Sequence, residues 1–428
     1  MNKYSIAVDI GASSGRLMLG HRENGQLQLS ELYRFENQIV QKGNHFCWEL
    51  DRLFDEIKTG LKKCRELGIQ PDSIGIDTWA VDFVLLDEND QPLTEAVSYR
   101  DPRTDGMMEE VFELISKERL YLETGIQFQK FNTIYQLYSL KKNHPDILAK
   151  AKSFLMIPDY LNFLLTGKKS NEYTNATSTQ LVNAFTKKWD YELLDILGIN
   201  KDMFHEIQMP KTILGNLKEE LVTELGFDMN VILPATHDTG SAVYRFRFLK
   251  NIMGLWMIQE VKRNYNHEYS FARLVELAEE AGDFRAIVNV NDDRFLKPDN
   301  MIQEIMNYCI ETGQSVPSTP GEVAKCVYDS LAASYKETIG EIESIFEKSF
   351  DKINVIGGGC QNEMLNQLVA DVTNKEVLAG PIEATAIGNI VAQLMALGEI
   401  TDLEEARSVI KQSFEVKKYE PIKSVANS

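Results

Sequence analysis

The sequence predicts an α/β protein of two domains, and three observations lead to that prediction. Strand-like and helix-like apolar patterns alternate in both halves of the chain. The 428 residues, 43% of them apolar, exceed what one ordinary hydrophobic core organises. The least regular stretch, residues 238–250, separates the two halves. We therefore expect an N-terminal domain at residues 1–243 and a C-terminal domain at residues 244–428.

The first forty residues predict three successive strands. The apolar run 6–10 enters the turn GASSG and resumes as RLMLG, and Asn24-Gly25 is a strong hairpin signal before a third alternating run. A dinucleotide-binding fingerprint or a P-loop needs a helix directly after its glycines, whereas a strand follows here. This disfavours a dinucleotide-dependent oxidoreductase. The backbone N–H groups and serines of the turn could form a nest for phosphate oxygens, and a plain Gly-Ser turn is the alternative.

The remaining elements follow from apolar periodicity. From Asp51 onward, Leu53, Ile57, Leu61 and Cys64 fall on one face of a helix that Gly68 ends. Further strands are predicted at SIGIDTW, VDFVLLD, VILPATHD, FRAIVNV, INVIGGG and EVLAG, and further helices near residues 106–120, 133–145, 157–166, 190–198, 251–261, 321–349, 362–372 and 384–398. Strands therefore alternate with helices along the whole chain.

Net charge and composition limit the classes of molecule that the chain is expected to bind. The formal net charge is −19, which argues against nucleic acid or an anionic membrane as the main partner, because both require a basic surface. We see no signal peptide and no apolar run long enough to span a membrane, and expect a soluble cytoplasmic monomer. The five cysteines fit no CxxC metal site and are expected to be reduced thiols, although Cys309 and Cys326 would meet if their helices pack together.

Two polar groups follow predicted strands and are candidates for chemistry. Asp9 precedes the glycine turn, where a carboxylate beside bound phosphate usually serves Mg²⁺, and Arg16 can neutralise phosphate charge. The alternatives are a surface Asp and a surface Arg. His237-Asp238-Thr239 ends an apolar strand, the edge at which α/β proteins commonly bind ligands. Asp238 can take a proton from a substrate hydroxyl during phosphoryl transfer, and the alternative is a helix N-cap.

Three weaker signals complete the set. Residues 357–359, all glycine, permit close approach of the backbone to a ligand, or simply make a tight turn between strand and helix. Asp77, Trp79 and Asp82 form a polar group between two strands, and YRDPR (residues 99–103) adds charge after another apolar stretch. A carbohydrate site needs this mixture of aromatic, carboxylate and amide groups, but each signal alone is weak.

Taken together, these stretches resemble the FGGY carbohydrate kinases. The resemblance extends from residue 7 to about residue 390, through AVDIGASSGR, SIGIDTWAVDFVLLD, YRDPRT, IPDYLNFLLTG, EYTNATSTQLVN, HDT, LKNIMGLW, NDDRF, VIGGGCQN and AGPIEATAIGNI. It is strongest to the members that phosphorylate L-rhamnulose in L-rhamnose breakdown. It implies an actin-like, ribonuclease H-like fold of two α/β domains with a cleft between them, and transfer of the γ-phosphoryl group of Mg·ATP to the 1-hydroxyl of the sugar.

The resemblance also implies roles for individual residues. Asp238 is the expected general base, and Asp9 is expected near the magnesium ion. The expected contacts to ATP are Ala12, Ser13, Ser14, Gly15, Arg16, Gln259 and Gly358. The expected contacts to the sugar are Ala80, His237, Asp238, Thr239 and Asn251. Some family members have glycine where this chain has Ala80, and the added methyl group would change the fit of the sugar.

One departure from the family pattern is large. In the family, the HDT stretch leads into a second β-meander with a Gly-Thr-Trp-Ser turn for ATP phosphates, whereas here HDTGSAV runs directly into YRFRFLKNIMGLW. Several dozen family residues are thus missing after Val243. We expect either exposed apolar surface or an unpaired sheet edge in the second domain, together with badly reduced turnover. The alternatives are an inactive remnant that binds sugar or nucleotide weakly, and a kinase of another ketose such as fuculose or xylulose.

Overall fold

The computed structural model describes residues 3–243, 252, 254–296 and 298–422, and the chain forms two compact units. The first unit comprises Met1–Arg247 and Ala384–Phe414, and the second comprises Phe248–Glu383 and Glu415–Ser428. A late segment, 384–414, therefore belongs with the N-terminal unit. The predicted boundary between an N-terminal domain ending at Val243 and a C-terminal domain after it stays a prediction.

Strands and helices alternate along the described chain, as the sequence predicted. The strands are β1 Tyr4–Ile10, β2 Ser14–Glu23, β3 Gln26–Glu36, β4 Ile39–Lys42, β5 His45–Trp48, β6 Ser73–Thr78, β7 Phe83–Leu86, β8 Ala96–Val97, β9 Ser153–Met156, β10 Asn171–Glu172, β11 Ile207–Gln208, β12 Ile213–Asn216, β13 Asn230–Ile232, β14 Lys352–Val355, β15 Glu376–Ala379 and β16 Lys417–Tyr419. The helices are α1 Leu50–Glu66, α2 Met107–Leu114, α3 Lys117–Thr124, α4 Thr133–Asn143, α5 Pro145–Lys150, α6 Ile157–Thr166, α7 Tyr173–Ser178, α8 Tyr191–Leu197, α9 Glu219–Leu225, α10 Asp238–Val243, α11 Trp256–Asn264, α12 Phe271–Glu280, α13 Met301–Glu311, α14 Pro320–Phe346, α15 Glu363–Thr373, α16 Ala384–Ala396 and α17 Leu403–Ser413.

The first unit is organised by a six-stranded sheet of order β12–β13–β6–β1–β2–β3. The predicted meander is confirmed, because β1, β2 and β3 pair antiparallel in sequence, while β1 pairs parallel with β6 and β6 with β13. Alternate residues of β1 point to opposite faces of the sheet. Ile6 and Val8 pack with the apolar face of α1, whereas Ala7 packs with Ile387 and Ile390 of α16.

The second unit has a smaller sheet, of order β14–β15–β16, packed with α14 and α15. Helix α14 begins with a capping box, in which the side chains of Thr319 and Glu322 each accept a hydrogen bond from the other residue's backbone N–H. Among the described residues, β14 pairs with one strand only, β15. The expectation of an unpaired edge stays a prediction, because residues 244–251 and 253 lie outside the described chain.

One predicted strand of the second unit is wrong. Residues 284–290 form no strand, although Ala286, Val288 and Val290 are buried in the alternating manner that suggested one. The backbone groups of this segment bond to side chains instead of to a neighbouring strand. Ser330 Oγ accepts from Val288 N at 2.9 Å, and the Gln314 amide bonds both N and O of Ile287 at 2.8 Å. The alternating apolar pattern therefore predicted correctly which residues are buried, but it did not predict strand pairing.

All five cysteines are buried free thiols. Cys309 on α13 and Cys326 on α14 contact each other, as the sequence allowed. Their mutual hydrogen bond lowers the pKa of Cys309 and raises the pKa of Cys326. In the part of the chain that the structure describes, none of the helices combines the length and apolar character needed to cross a bilayer.

Candidate active site

Asp9 and Arg16 form an ion pair across the first hairpin of the six-stranded sheet. They are register partners on β1 and β2, and Arg16 Nη2 donates to Asp9 Oδ2 at 2.9 Å while Nε donates at 3.2 Å. Burial raises the pKa of Asp9, and the Arg16 charge opposes that rise. The hairpin thus holds a carboxylate and a guanidinium side by side at the ends of two strands.

The tip of this hairpin contains Ala12, Ser13 and Ser14, with Ser13 exposed. It is closed by a hydrogen bond from Gly11 N to Ser14 O at 2.9 Å. Gly15 lies behind the tip, on β2, where a Cβ atom would lie 2.2 Å from the ring of Phe35. Packing alone therefore accounts for the glycine at position 15, whereas the exposed tip remains accessible.

The His237-Asp238-Thr239 segment lies beyond β13, beside the end of β6. A parallel bridge joins Thr78 to His237, and α10 begins at Asp238. The backbone N–H and the hydroxyl of Thr239 both donate to Asp238 Oδ1, and His237 Nε2 is 3.4 Å from the same oxygen. Burial lowers the pKa of His237, so its imidazole is neutral at pH 7. The Asp238 side chain is 35% exposed, so it is accessible to a substrate.

A third carboxylate, Asp77, joins Asp9 and Asp238. Asp77 on β6 is the register partner of Asp9, and both carboxylates interact electrostatically with Asp238. Asn389 Nδ2 of α16 donates to Asp77 Oδ2 at 2.6 Å, and the side chains of Asp77 and Asp9 are hydrogen-bonded to each other. Burial, with the Asp9 charge, raises the pKa of Asp77 well above its usual value.

This donor set fits a magnesium ion that arrives with a phosphate ligand. Mg²⁺ is usually held by one or two carboxylates together with water and phosphate oxygens. The described residues contain no group of three or more His, Cys, Asp or Glu side chains that could hold a metal by themselves. Asp9 would supply the one protein carboxylate that such an ion needs.

Sequence reasoning missed Glu172, a buried carboxylate that fixes the segment before His237. Its Oε2 atom accepts from Thr236 N at 2.9 Å and from Thr236 Oγ1 at 2.8 Å. The same carboxylate accepts from two backbone N–H groups at the start of α7, those of Thr174 and Asn175. Glu172 therefore ties the first turn of α7 to the strand end that carries Asp238. The only sequence signal was its place in EYTNATSTQ.

Ala80, the predicted sugar contact, lies half-buried next to a strained residue. Val81 has φ = 69°, a left-handed conformation that a β-branched residue rarely adopts. Three side chains hold its backbone: Ser178 Oγ accepts from Val81 N at 3.2 Å, and Val81 O accepts from Thr133 Oγ1 at 2.6 Å and Gln136 Nε2 at 3.2 Å. The fold thus keeps an unfavourable backbone beside Ala80, as is typical of functional sites.

Asp82 anchors two tryptophans beneath this turn. Its Oδ2 accepts from Trp48 Nε1 at 2.7 Å and from Trp79 Nε1 at 2.9 Å, and the two indole rings are 4.1 Å apart. Burial raises the pKa of Asp82 to about 6. Asp101 and Arg103, from the charged stretch after β8, make internal contacts: Asp101 accepts from Phe46 N and from Arg103 N.

The predicted nucleotide contacts Gln259 and Gly358 belong to the second unit. Gln259 is exposed on α11, and Gly358 is exposed at the start of a short 3₁₀ turn after β14. The preceding residue, Gly357, has φ = 77° and ψ = −168°, a conformation open only to glycine. Asn251, a predicted sugar contact, lies outside the described residues.

Comparison with known proteins identifies the family. Residues 4–244 match the N-terminal domain of the FGGY family of carbohydrate kinases, and residues 215–397 match its C-terminal domain. The chain is 64% identical to the rhamnulokinase of Halalkalibacterium halodurans, with 97% of this chain and 98% of the relative covered. It is 58% identical to the rhamnulokinase of Oceanobacillus iheyensis, with 98% of each chain covered.

The first of these alignments runs over 461 positions, which exceeds the 428 residues of the chain. At least 33 positions of that relative therefore have no counterpart here. This shortfall agrees in size with the segment that the sequence analysis finds missing after Val243.

Solved sugar-kinase structures share the fold. A gluconate kinase and a xylulose kinase from Lactobacillus acidophilus both superpose with a TM-score of 0.78 at 18% identity, with 98% or more of this chain and 94% of each of those chains covered. This likeness confirms the predicted two-domain α/β fold. The chain belongs to the FGGY family of carbohydrate kinases.

Proposed function

We propose that the chain transfers the γ-phosphoryl group of ATP to the 1-hydroxyl of L-rhamnulose, giving L-rhamnulose 1-phosphate and ADP. The observation that carries this proposal is the group of Asp9, Arg16 and Asp238 at one edge of the six-stranded sheet. The rhamnulokinases that are 64% and 58% identical over nearly their full length support the choice of sugar. They also disfavour an inactive remnant.

Asp238 is the proposed general base. Its carboxylate is accessible, and the Thr239 hydroxyl and backbone N–H hold it in place. It takes the proton of the sugar 1-hydroxyl as that oxygen bonds to the γ-phosphorus and the bond to the ADP oxygen breaks. His237, Thr239 and Ala80 are the proposed sugar contacts in the described chain, and Asn251 is a further proposed contact.

Arg16 and the hairpin tip are the proposed binding site for the ATP phosphates. The guanidinium can lie against negative phosphate oxygens, and Ala12, Ser13, Ser14 and Gly15 supply the backbone N–H groups and hydroxyls of this turn. Asp9 is the proposed protein ligand of Mg²⁺, which when bound with ATP neutralises part of the phosphate charge. Gln259 and Gly358 are proposed to contact the nucleotide from the second unit.

We expect turnover below that of full-length relatives. Phosphoryl transfer depends mainly on positioning and charge stabilisation, so losing a phosphate-binding turn weakens catalysis while the base and the first hairpin persist. The chain is further proposed to act as a cytoplasmic monomer, and light scattering coupled to size-exclusion chromatography would test its oligomeric state.

The test is release of ADP from Mg·ATP with L-rhamnulose, compared with L-fuculose and xylulose at equal concentration. We expect the highest kcat/KM with L-rhamnulose, and ³¹P NMR should identify a 1-phosphate ester as the product. A higher kcat/KM for another ketose would contradict the proposed substrate. ADP release at the same rate with and without each sugar would contradict the proposed transfer.

A further inference from the structure

Val81 is the central residue of a strained three-residue turn that begins at Ala80. Asp82 N donates to Ala80 O at 3.0 Å, and this hydrogen bond closes the turn. With φ = 69° at Val81, the turn is a γ-turn of the rare, strained kind. A β-branched residue does not adopt this backbone by its own preference, so the surrounding structure must maintain it.

Two helices hold the backbone of this turn through side-chain hydroxyls. Thr133 Oγ1 of α4 donates to Val81 O at 2.6 Å, and Val81 N donates to Ser178 Oγ of α7 at 3.2 Å. The Ser178 hydroxyl donates its own proton to Asn175 O at 2.6 Å, so its lone pairs are free to accept from Val81 N. Gln136 Nε2 adds a longer bond, of 3.2 Å, to Val81 O. The strained residue is therefore fixed at both its N–H and its C=O group.

The residues on either side of the turn are fixed as well. Asp82 Oδ2 accepts from Trp79 Nε1 at 2.9 Å, and Trp79 directly precedes Ala80. The same oxygen accepts from the backbone N–H of Tyr99 at 3.1 Å. One buried carboxylate thus bonds the residue before the turn and a neighbouring segment, which leaves the backbone of Ala80 little freedom to move.

Helix α7 also holds the segment that carries the proposed general base. Its N-cap residue, Glu172, accepts from Thr236 N at 2.9 Å. Thr174 Oγ1, in its first turn, accepts from His237 N at 3.3 Å. Its last residue, Ser178, holds the strained turn. The six residues of α7 make a spacer about 9 Å long, so one short helix connects the two parts of the proposed sugar site.

We propose that Thr133 and Ser178 are positioning residues for the sugar and act through the strained turn. Their bonds to Val81 fix the backbone of Ala80 where the sugar binds, and α7 keeps that backbone at a constant distance from Asp238. Both hydroxyls are engaged with protein groups, so neither takes part in the transfer itself. This inference rests on the proposed function, which assigns a sugar contact to Ala80.

The experiment measures the Kd of L-rhamnulose by isothermal titration calorimetry on the full chain, without ATP. Thr133→Val and Ser178→Ala each remove one hydroxyl, and we expect each to raise this Kd about tenfold. Thr133→Ser keeps the hydroxyl and should bind like the parent chain. In assays of turnover, the KM for the sugar should rise by a similar factor in the first two variants, whereas the KM for ATP should stay unchanged.

Thr124→Val is the matched control. Thr124 is buried in the same unit, and its hydroxyl donates to Leu120 O at 2.7 Å within α3. This variant should lower the melting temperature to an extent similar to Thr133→Val but leave the Kd of the sugar unchanged. Cooperative melting verifies that each variant folds, and the half-buried Ser178 provides a second site at which the substitution is tolerated.

Three results would overturn the inference. They are an unchanged Kd in both Thr133→Val and Ser178→Ala, an equal rise of the Kd in Thr124→Val, and a KM for ATP that rises as much as the KM for the sugar. Failure of the proposed function is seen separately, as a parent chain that binds L-rhamnulose but releases no ADP in its presence.

Discussion

The two units begin from the same element, a parallel strand pair, and differ in what lies beside it. In the first unit, β6 is covered by the β1–β3 meander, which buries apolar residues and also supplies Asp9 and Arg16. In the second unit, β14 pairs only with β15 among the described residues, and Ile345 of α14 is 73% exposed. The first meander thus contributes both packing and the Asp9–Arg16 ion pair.

The comparison predicts that substitutions at buried polar contacts of the first unit strongly lower the free energy of unfolding. Substitutions at exposed positions of α14 in the second unit should change it little. The largest expected effect is that of Glu172→Ala. It leaves several buried donors, including both of Thr236, without an acceptor, so we expect a loss of about 3–5 kcal/mol in the free energy of unfolding, measured in urea. Because Thr236 precedes the segment that carries Asp238, kcat should fall as well. Glu220→Ala, at an exposed position, is the control, and an equal effect in both variants would contradict this role of Glu172.

The next effect concerns pH. Burial raises the pKa of Asp82 to about 6 in the folded state, so the folded chain binds this proton more tightly than the unfolded chain. The resulting stabilisation is complete below about pH 4 and is lost as the pH rises through about 6, a change of about 3 kcal/mol. The parent chain should therefore lose stability relative to Asp82→Asn over this range, as urea titrations at several pH values would measure. Parallel pH profiles of the two proteins would show that Asp82 does not titrate in this way.

The substitution of glycine by alanine, made at one position in each unit, should change the free energy of unfolding in opposite directions. A Cβ atom at Gly388 of α16 would lie 1.9 Å from Ser241 O, whereas one at Gly340 of α14 has no atom within 4 Å. Gly388→Ala must displace α10, which begins at Asp238, so we expect a loss of about 1–3 kcal/mol and a lower kcat. Gly340→Ala should gain about 0.5–1 kcal/mol, because alanine favours a helix interior. Thermal melts and initial rates on both variants check this, and a stabilising Gly388→Ala would refute the close contact.

The smallest effect on stability is expected at the exposed end of α14 in the second unit. Ile345→Lys should change the free energy of unfolding by less than about 0.5 kcal/mol, because the side chain is exposed. It should nevertheless raise the protein concentration at which static light scattering detects association. Leu122→Lys in the first unit, at a position of similar exposure, should leave that concentration unchanged. Equal shifts in both variants would mean that Ile345 has no special role in association.

The sequence predicted those features that depend on local pattern. The first meander and helix α1 follow from alternation and helical periodicity, and both are observed.

Features that depend on distant contacts were not predictable in this way. Glu172 meets Thr236 from 64 positions away, and Gly388 meets Ser241 across a helix contact. Residues 284–290 alternate like a strand but have no strand neighbour in the described chain. Local sequence patterns do not indicate which distant residue a side chain contacts, so these features could be identified only from the folded structure.

The central claim is that the first unit retains a working base for phosphoryl transfer. Its most direct test is the initial rate of ADP release from Mg·ATP and L-rhamnulose by the chain and by Asp238→Asn, with Asp195→Asn as an exposed control. We predict sugar-dependent turnover that falls by about 10²–10⁴-fold in Asp238→Asn and persists in the control. Turnover that Asp238→Asn leaves intact, or no turnover from a chain that melts cooperatively, would contradict the claim.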